Sequence, residues 1–173
     1  MPARPTAPAT IELLRESHLF EGMGDSVITR LSTQLPTETA LPGDLIITEG
    51  ELAAHMFVIL DGEVEVLHKG DGDHDVRLAL LGPGDWIGEM AILDVLPRSA
   101  SVRALAPTTL FRLSSSDTRR LIQEPEPLQY ALLVANIARE LARRLRVADH
   151  IIANASSHIV QRYLVESRRP PAG

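Results

Sequence analysis

The segment from Ile87 to Ser101, with the sequence IGEMAILDVLPRSAS, contains the residue types best suited to bind an anion. Gly88 has no Cβ, so the backbone there can approach a ligand closely, and residues 89–93 can form one helical turn after it. The amides at the start of such a turn suit a phosphate, and Arg98 can donate a planar pair of hydrogen bonds to the phosphate oxygens. These residue types at this spacing predict a phosphate site.

The same segment carries a carboxylate, Glu89, directly after the glycine. A Glu89 buried beside Arg98 would accept a hydrogen bond from a ribose hydroxyl. Pro97 would stiffen the chain as it returns into a strand. A lone Gly-Glu pair is usually a turn and a lone Pro-Arg-Ser is usually surface, so only the combination indicates a ligand site.

Two short helices and a series of strands must position this segment. Apolar residues at helical spacing follow Thr10, a candidate N-cap, and a second helix is expected to begin near Asp25 and to end before Pro36. Over residues 37–114, short runs rich in Ile, Val and Leu are interrupted by the turn-forming glycines Gly43, Gly50, Gly62, Gly70, Gly72, Gly82 and Gly84. The pattern predicts a series of antiparallel β-hairpins.

The clearest strand pair is HMFVIL and VEVLH, joined by DGE. Met56, Val58 and Leu60 alternate with other residues before the turn, and Val64 and Val66 do so after it. Strands of this kind predict an antiparallel β-roll of the jelly-roll type. The expected fold class is therefore α+β, a β-roll flanked by short N-terminal helices and a long C-terminal helix.

Two further helices are expected after the strands. The run SSSDTRRLIQ predicts a capped short helix that stops before Pro125, and a long helix without Gly or Pro runs from Pro127 to about Tyr163. Its apolar positions step alternately by four and three residues: Val134, Ala138, Leu141, Leu145, Ala148, Ile152, Ala155 and Ile159. This is the seam of a coiled coil and predicts a homodimer; the alternative is that the helix buries the stripe against its own domain.

These features divide the chain into four parts. A disordered tail is expected at residues 1–9, a ligand-binding β-roll domain at 10–124, a dimerisation helix at 125–165 and a second disordered tail at 166–173. The two tails are assigned from their composition, which is rich in proline and small residues.

Composition excludes several classes of protein. The formal net charge of −6 disfavours a nonspecific binder of nucleic acid or acidic membranes, and the absence of cysteine excludes disulfides and thiol chemistry. No stretch approaches the roughly 18 apolar residues of a membrane span, and the first ten residues do not resemble a signal peptide. A cytoplasmic protein that does not bind a membrane is expected.

The Ile87–Ser101 segment resembles the phosphate-binding cassette of cyclic nucleotide-binding domains, the family of catabolite activators and protein kinase A regulatory subunits. That pattern is Gly-Glu, a variable residue, Ala, five residues, Pro-Arg, a small residue and Ala, and it is matched without a gap by Gly88, Glu89, Ala91, Pro97, Arg98, Ser99 and Ala100. The resemblance extends over roughly residues 11–160 and includes the LGPGDWIGE approach.

The resemblance implies a cyclic mononucleotide, cAMP or cGMP, as ligand, with no other cofactor. Glu89 would then bind the ribose 2′-hydroxyl and Arg98 the cyclic phosphate. The backbone of four residues would complete the phosphate cradle: Gly88, Ala91, Ser99 and Ala100. Met90 and the strand around Ile87 would line the sugar.

The sequence departs from the regulator-like members of the family in two ways. No winged helix-turn-helix follows the long helix, so DNA binding is not expected, and the arginines of the stretch ARRLR, Arg143, Arg144 and Arg146, are interpreted as solvated charges beside the dimer seam. Where those members offer hydroxyls to the purine, this chain has Ala148 and Asp149. Asp149 would accept hydrogen bonds from two donors of guanine, and Ser99 could donate one to guanine. The wider family favours cAMP, so the choice between the two bases stays open. Asp149 could equally be a solvated helix charge.

The function expected from these observations is that of a sensor that is not an enzyme and has no catalytic residues. Nucleotide binding would reposition the long helix, and an unknown protein effector would read the change. One alternative, a cupin-type metal enzyme, is disfavoured because the histidines are scattered without a His-x-His pair, so no metal site is expected. The others are a regulator-like protein lacking its DNA-binding domain and a protein–protein module whose ligand site is unused.

Overall fold

The computed structural model describes the backbone of residues 7–70, 74–94 and 96–166. The chain divides into two compact units, Met1–Asn136 and Ile137–Gly173. The first unit holds all the described strands and the short helices. Its N-terminal part consists of helix α1 (Ala7–Glu16), a 3₁₀ turn (His18–Phe20) and helix α2 (Asp25–Gln34).

Helix α1 begins at Ala7, three residues before the predicted N-cap Thr10. Thr10 therefore lies inside the helix and is not its N-cap. Pro8 falls in the first turn, where proline is tolerated because the amide it lacks would have no helical partner. Thr10 is buried, which is consistent with a position within the packed helix. Residues 7–9 and 166, which were predicted to belong to disordered tails, are helical. The rest of the two predicted tails, residues 1–6 and 167–173, lies outside the described residues.

In the described part of the chain, eight antiparallel strands form two four-stranded sheets. The strands are β1 (Thr37–Ala40), β2 (Leu45–Ile47), β3 (His55–Asp61), β4 (Val64–Lys69), β5 (Asp75–Leu81), β6 (Trp86–Ile87), β7 (Ser101–Ala104) and β8 (Thr108–Ser114). One sheet has the order β1-β8-β3-β6 and the other β2-β7-β4-β5. The predicted fold class, a β-roll with flanking helices, is confirmed.

The core between the sheets is built from aliphatic side chains and one aromatic ring. It consists of buried residues from six strands of both sheets: Ile47, Phe57, Ile59, Val64, Ile87, Val102 and Leu110. Because most of these side chains are β-branched or aromatic, they suit a pleated surface that is covered on its inner face. The burial of this apolar area stabilises the scaffold that carries the loops between strands.

The predicted hairpin of β3 with β4 is wrong, because the two strands belong to different sheets. Strand β3 pairs with β6 and β8, and β4 pairs with β5 and β7. Residues 56–59 of β3 are all buried, so β3 is a central strand covered on both faces and its apolar alternation did not identify its partners. At the turn, Gly62 has φ +97° and a Cβ there would lie 2.6 Å from the Pro107 carbonyl oxygen, so the chain passes close to the β7–β8 connection.

The helices after the strands follow the predicted order. Helix α4 (Ser115–Thr118) begins with a capping box in which the Ser114 hydroxyl accepts from the Asp117 amide at 3.1 Å. A π-helical turn (Arg119–Gln123) follows, and then helix α5 (Pro127–Glu166). Near the end of the first unit, the buried Asn136 donates from Nδ2 to the carbonyls of Leu19 and Glu21 at 2.9 and 3.0 Å. These bonds fix the beginning of α5 on the 3₁₀ turn.

The second unit contains α5 from Ile137 onward. Leu145 and Ile152, two positions of the predicted seam, have 62% of their surface exposed. The side chains of Ala155 and Ile159 lie outside the described residues. Arg143 and Arg144 donate to Glu140 at 2.7–2.9 Å, in the i,i+3 and i,i+4 pairing of a helix surface.

Candidate functional site

The predicted phosphate segment begins where strand β6 ends. Ile87 pairs with Phe57 of β3, and the chain then turns at Gly88, whose φ of +75° lies in the left-handed region that favours glycine. Glu89 follows at the N-cap position of helix α3 (Met90–Leu93). The helical turn expected from the sequence is therefore present, directly after the glycine.

Arg98 is the buried cation of this site, with 8% of its surface exposed. Its Nη1 donates to the carbonyl of Gly88 at 2.9 Å, and its Nη2 donates to the carbonyl of His55 at 2.6 Å. A guanidinium carries five N–H groups, so further donors remain for a ligand. The two bonds to main-chain carbonyls fix the plane and direction of the guanidinium.

The main chain of Arg98 is also held on both sides. Its amide donates to the Glu51 carbonyl at 2.9 Å, and its carbonyl accepts from the Gly50 amide at 2.9 Å. Leu52 and Pro97 form an isolated antiparallel bridge beside these bonds. The loop before β3 therefore positions the arginine from its backbone, while β3 and Gly88 position its side chain.

Burial lowers the pKa of Arg98, and the carboxylates of Glu89 and Glu51 act in the opposite direction by raising it. The guanidinium stays cationic because its ordinary pKa lies far above neutrality. Burial also lowers the pKa of His55, with the charges of Arg112 and Arg98 adding to the effect. These effects favour the neutral form of the His55 imidazole beside the buried Arg98 cation.

Glu89 is buried, with 4% of its surface exposed, and it is close enough to Arg98 to act on its charge. A buried carboxylate is stable when it is paired and hydrogen-bonded. The carboxylate oxygens can accept hydrogen bonds and the guanidinium can donate them. The pair can thus bind a ligand that combines a hydroxyl with an anionic group.

The other predicted ligand residues of this segment lie around the same turn. Ala91 is buried and its amide donates to the Gly88 carbonyl at 3.2 Å, whereas Met90 is half exposed. Ser99 is exposed and its Oγ lies 3.9 Å from the Met90 Sδ. Ala100 is half-buried and directly precedes strand β7.

Two other predicted ligand residues, Ile87 and Asp149, do not lie on the turn after β6. The Ile87 side chain is 2% exposed and packs in the core between the sheets, so this residue can offer a ligand only its main chain. Asp149 is an exposed residue of α5 in the second unit. Its part in the site stays a prediction.

Three partners of the site were not predicted from the sequence. The carbonyls of His55 and Glu51 bind Arg98, and every residue has a carbonyl, so no residue type signals such an acceptor. The third is His68, whose Nδ1 lies 3.2 Å from the Ser99 carbonyl oxygen. His68 and Ser99 are far apart in sequence, and only the pairing of β4 with β7 brings them together.

The described residues also bear on two other kinds of feature, a metal site and a membrane span. In the described part of the chain, no three His, Asp or Glu side chains are grouped so that they could hold a metal ion. Among the helices that the structure describes, none has the length and apolar character needed to cross a membrane.

Comparisons with known proteins agree with this geometry. Residues 37–125, about half of the chain, match the family model of the cyclic nucleotide-binding domain. The chain is 33% identical over 136 residues to the cyclic AMP receptor protein of Thermus thermophilus, which covers 79% of this chain and 61% of that protein. The chain therefore spans less than two thirds of the length of this relative.

Solved structures show the same fold. The catabolite activator protein of Thermus thermophilus superposes with a TM-score of 0.71 at 35% identity, covering 81% of this chain and 63% of that one. A cyclic nucleotide-binding domain from Methylobacillus flagellatus superposes with a TM-score of 0.73 at 26% identity, covering 86% and 83%. The chain belongs to the cyclic nucleotide-binding domain family.

Proposed function

We propose that this chain binds a 3′,5′-cyclic purine mononucleotide, cAMP or cGMP, at the site formed by Gly88, Glu89 and Arg98. The observation that carries the proposal is the buried Arg98 guanidinium, held by two main-chain carbonyls beside the buried Glu89 carboxylate. The relative named as a cyclic AMP receptor protein supports the same class of ligand.

Arg98 is the residue that would bind the cyclic phosphate. Its unused N–H groups can form charge-assisted hydrogen bonds with the phosphate oxygens, which are about twice as strong as neutral ones. The main chain at Gly88, Ala91, Ser99 and Ala100 would surround the same anion. The Ala91 amide already donates to Gly88 at 3.2 Å, at the long end of the normal range, so it could share its hydrogen with a phosphate oxygen.

Glu89 would accept a hydrogen bond from the ribose 2′-hydroxyl. The oxygens of a carboxylate accept hydrogen bonds and do not donate them, which matches a hydroxyl donor on the ligand. Met90, half exposed beside Ser99, would contact the sugar together with the main chain of Ile87. Cyclic nucleotides that retain the 2′-hydroxyl are therefore the expected ligands.

The role proposed for the protein is regulatory and not catalytic. Nucleotide binding would change the position of α5, and a protein effector would read the change. The exposed Leu145 and Ile152 lie on the apolar seam of α5, which supports a parallel homodimer through residues 128–160. A cytoplasmic location belongs to the same proposal, because the nucleoside triphosphates from which cyclic nucleotides form are cytoplasmic.

Isothermal titration with cAMP, cGMP and a cyclic dinucleotide tests the ligand class. The wild-type chain should bind at least one of the two mononucleotides, and Arg98→Leu should weaken that binding at least about 100-fold, because it removes two charge-assisted hydrogen bonds. Arg77→Leu removes an exposed arginine of β5 and is the matched control. Wild-type affinity in Arg98→Leu, with the fold checked by circular dichroism, would contradict the proposal.

Light scattering tests the dimer. The wild-type chain should have twice the monomer mass at micromolar concentration, and placing Glu at both Leu141 and Leu145 should give a monomer, because two charges would enter an apolar seam. A monomeric wild type would show instead that the stripe packs within one chain.

A further inference from the structure

A second group of polar residues lies on the side of the site formed by strand β4. His68, near the end of β4, places Nδ1 3.2 Å from the carbonyl oxygen of Ser99 and 3.2 Å from Oε2 of Glu49. Both partners are acceptors, so the imidazole makes these bonds only when Nδ1 carries the hydrogen. One N–H group is thus shared between the phosphate segment and a carboxylate.

Glu49 is itself held on three sides. Its Oε2 accepts from the Lys69 amide at 3.0 Å as well as from His68, and its own amide donates to the Ser101 hydroxyl at 3.0 Å. Its side chain is 18% exposed, compared with 52% for the His68 side chain. The carboxylate therefore lies at a fixed position and fixes the orientation of the imidazole.

The bond to Ser99 has a consequence for the next residue. The carbonyl of Ser99 and the amide of Ala100 belong to one planar peptide unit, so a bond that holds the carbonyl also fixes the direction of the amide N–H. Accepting a hydrogen bond at the carbonyl also polarises that N–H and strengthens it as a donor. His68 can therefore act on the phosphate cradle without touching the ligand.

We infer that His68 is a positioning residue for the cyclic phosphate. It holds the Ser99–Ala100 peptide unit through Nδ1, so that the Ala100 amide donates to the phosphate, and Glu49 holds the imidazole in this orientation. This inference rests on the proposed function, because it assumes an anion bound by Arg98 and the Ala100 amide. It adds a residue from a distant strand to the site.

The contacts of His68 distinguish this role from a general contribution to stability. Half of its side chain is exposed, and it is absent from the hydrophobic core between the sheets. Removing an exposed side chain of this kind changes the free energy of unfolding little. A loss of affinity in a His68 variant would therefore report on the peptide unit that it holds.

The experiment compares His68→Leu, His68→Asn and the wild type by calorimetric titration with the tighter of cAMP and cGMP. His68→Leu removes the donor and should weaken binding about three- to tenfold, the effect of one net hydrogen bond. The Asn side-chain nitrogen branches from Cγ as Nδ1 does, so His68→Asn should restore most of the affinity. His18→Leu, which removes an exposed histidine near the N terminus, should bind like the wild type.

Two further measurements test the mechanism. Glu49→Ala should weaken binding in the wild-type background but add little to His68→Leu, because Glu49 acts through the imidazole. The ¹⁵N–¹H resonance of the Ala100 amide should shift upfield in His68→Leu without nucleotide, because the amide loses polarisation, and should return towards its wild-type position in His68→Asn.

The outcomes separate this inference from the function on which it rests. A wild-type chain that binds neither nucleotide refutes the proposed function. Wild-type affinity in His68→Leu, equal losses in His68→Leu and His68→Asn, or an unchanged Ala100 resonance refutes the positioning role alone.

Discussion

The guanidinium of Arg98 occupies the space that a side chain on residue 88 would need. A Cβ built on Gly88 would lie 2.5 Å from Nη1 of Arg98 and 3.1 Å from Cδ1 of Ile47. The φ of +75° at Gly88 independently disfavours any residue with a Cβ. Gly88 is therefore required both by the turn after β6 and by the closeness of the arginine that the turn supports.

Gly88→Ala should weaken cyclic nucleotide binding by at least about tenfold. The methyl group would push the guanidinium away from the Gly88 carbonyl, and the charge-assisted bonds proposed between Arg98 and the phosphate depend on that orientation. The free energy of unfolding should also fall by about 1–2 kcal/mol from the unfavourable φ alone. Titration calorimetry and thermal unfolding measure the two effects.

Gly22→Ala is the matched control for this variant. Gly22 has nearly the same φ, +76°, but nothing lies within 4 Å of a Cβ placed there. It should show the loss of stability without the loss of affinity. If the two variants bind nucleotide equally well, the contact between Gly88 and Arg98 does not orient the arginine.

Glu89→Ala should weaken the binding of cAMP or cGMP by about tenfold but leave the affinity for the corresponding 2′-deoxy analogue nearly unchanged. The reason is that the analogue has no hydroxyl for the carboxylate to accept from. Glu51→Gln is the control, because Glu51 also acts on the charge of Arg98 and should affect both ligands equally. A parallel loss for both ligands in Glu89→Ala would mean that Glu89 acts only through Arg98.

The sheet of order β2-β7-β4-β5 carries a buried carboxylate that is independent of the site. Glu65 is 6% exposed, and Arg103, its partner in the β4–β7 register, donates to Oε1 from Nε at 2.9 Å and from Nη2 at 2.6 Å. Arg77 lies 3.8 Å from the other oxygen. The cross-strand pair is therefore the main compensation for the burial of Glu65.

Arg103→Met should lower the free energy of unfolding by about 2–4 kcal/mol, because the buried carboxylate would lose its main partner. The double variant with Met at both Glu65 and Arg103 should recover most of that loss, since a buried ion pair can often be replaced by apolar residues. Denaturant unfolding measures both. If the double variant is no more stable than Arg103→Met, the Glu65–Arg103 pair stabilises the folded chain by more than offsetting the burial of the Glu65 carboxylate.

The sequence indicated that Gly88, Glu89 and Arg98 lie together, but it did not indicate the strand pairing, for physical reasons. Gly88, Glu89 and Arg98 lie within one short segment, and their chemical types alone indicate an anion and a hydroxyl. The alternation of Met56, Val58 and Leu60 indicates a strand but not its neighbours, because partner choice depends on contacts between residues distant in sequence. His68 was missed for the same reason, since only the sheet brings it to Ser99.

Acid should weaken α5 through Glu140. Hydrogen bonds from Arg143, followed by those from Arg144, lower the pKa of Glu140 to about 2, although burial opposes this shift. A carboxyl whose pKa is lower in the folded chain than in the unfolded chain stabilises the folded state at pH values above its ordinary pKa of 4.5. This contribution is lost as the pH falls towards 2. The side chains of Arg143 and Arg144 are 64% and 38% exposed, so water screens the pairs and we expect about 1 kcal/mol.

Thermal unfolding of the wild type and Glu140→Gln, followed by circular dichroism at pH 7, 4.5 and 2.5, measures this contribution. The variant should be less stable at pH 7, and the difference should shrink towards pH 2.5, where the carboxyl is protonated in the unfolded chain and begins to be protonated in the folded one. A difference that is constant over this range would show that the carboxylate charge is not responsible.

The choice between the two purines should depend on Asp149. If the Asp149 carboxylate contacts the base, guanine offers it two adjacent donors, N1–H and the exocyclic amine. Adenine offers one amine beside an unprotonated N1 that repels a carboxylate. Asp149→Ala should therefore lower the ratio of cGMP to cAMP affinity by about fivefold or more. Asp149→Asn should lower it further, because the amide can accept from the adenine amine and donate to N1. If calorimetry gives the same ratio for all three chains, Asp149 is a solvated helix charge and Ser99 or the strands must select the base.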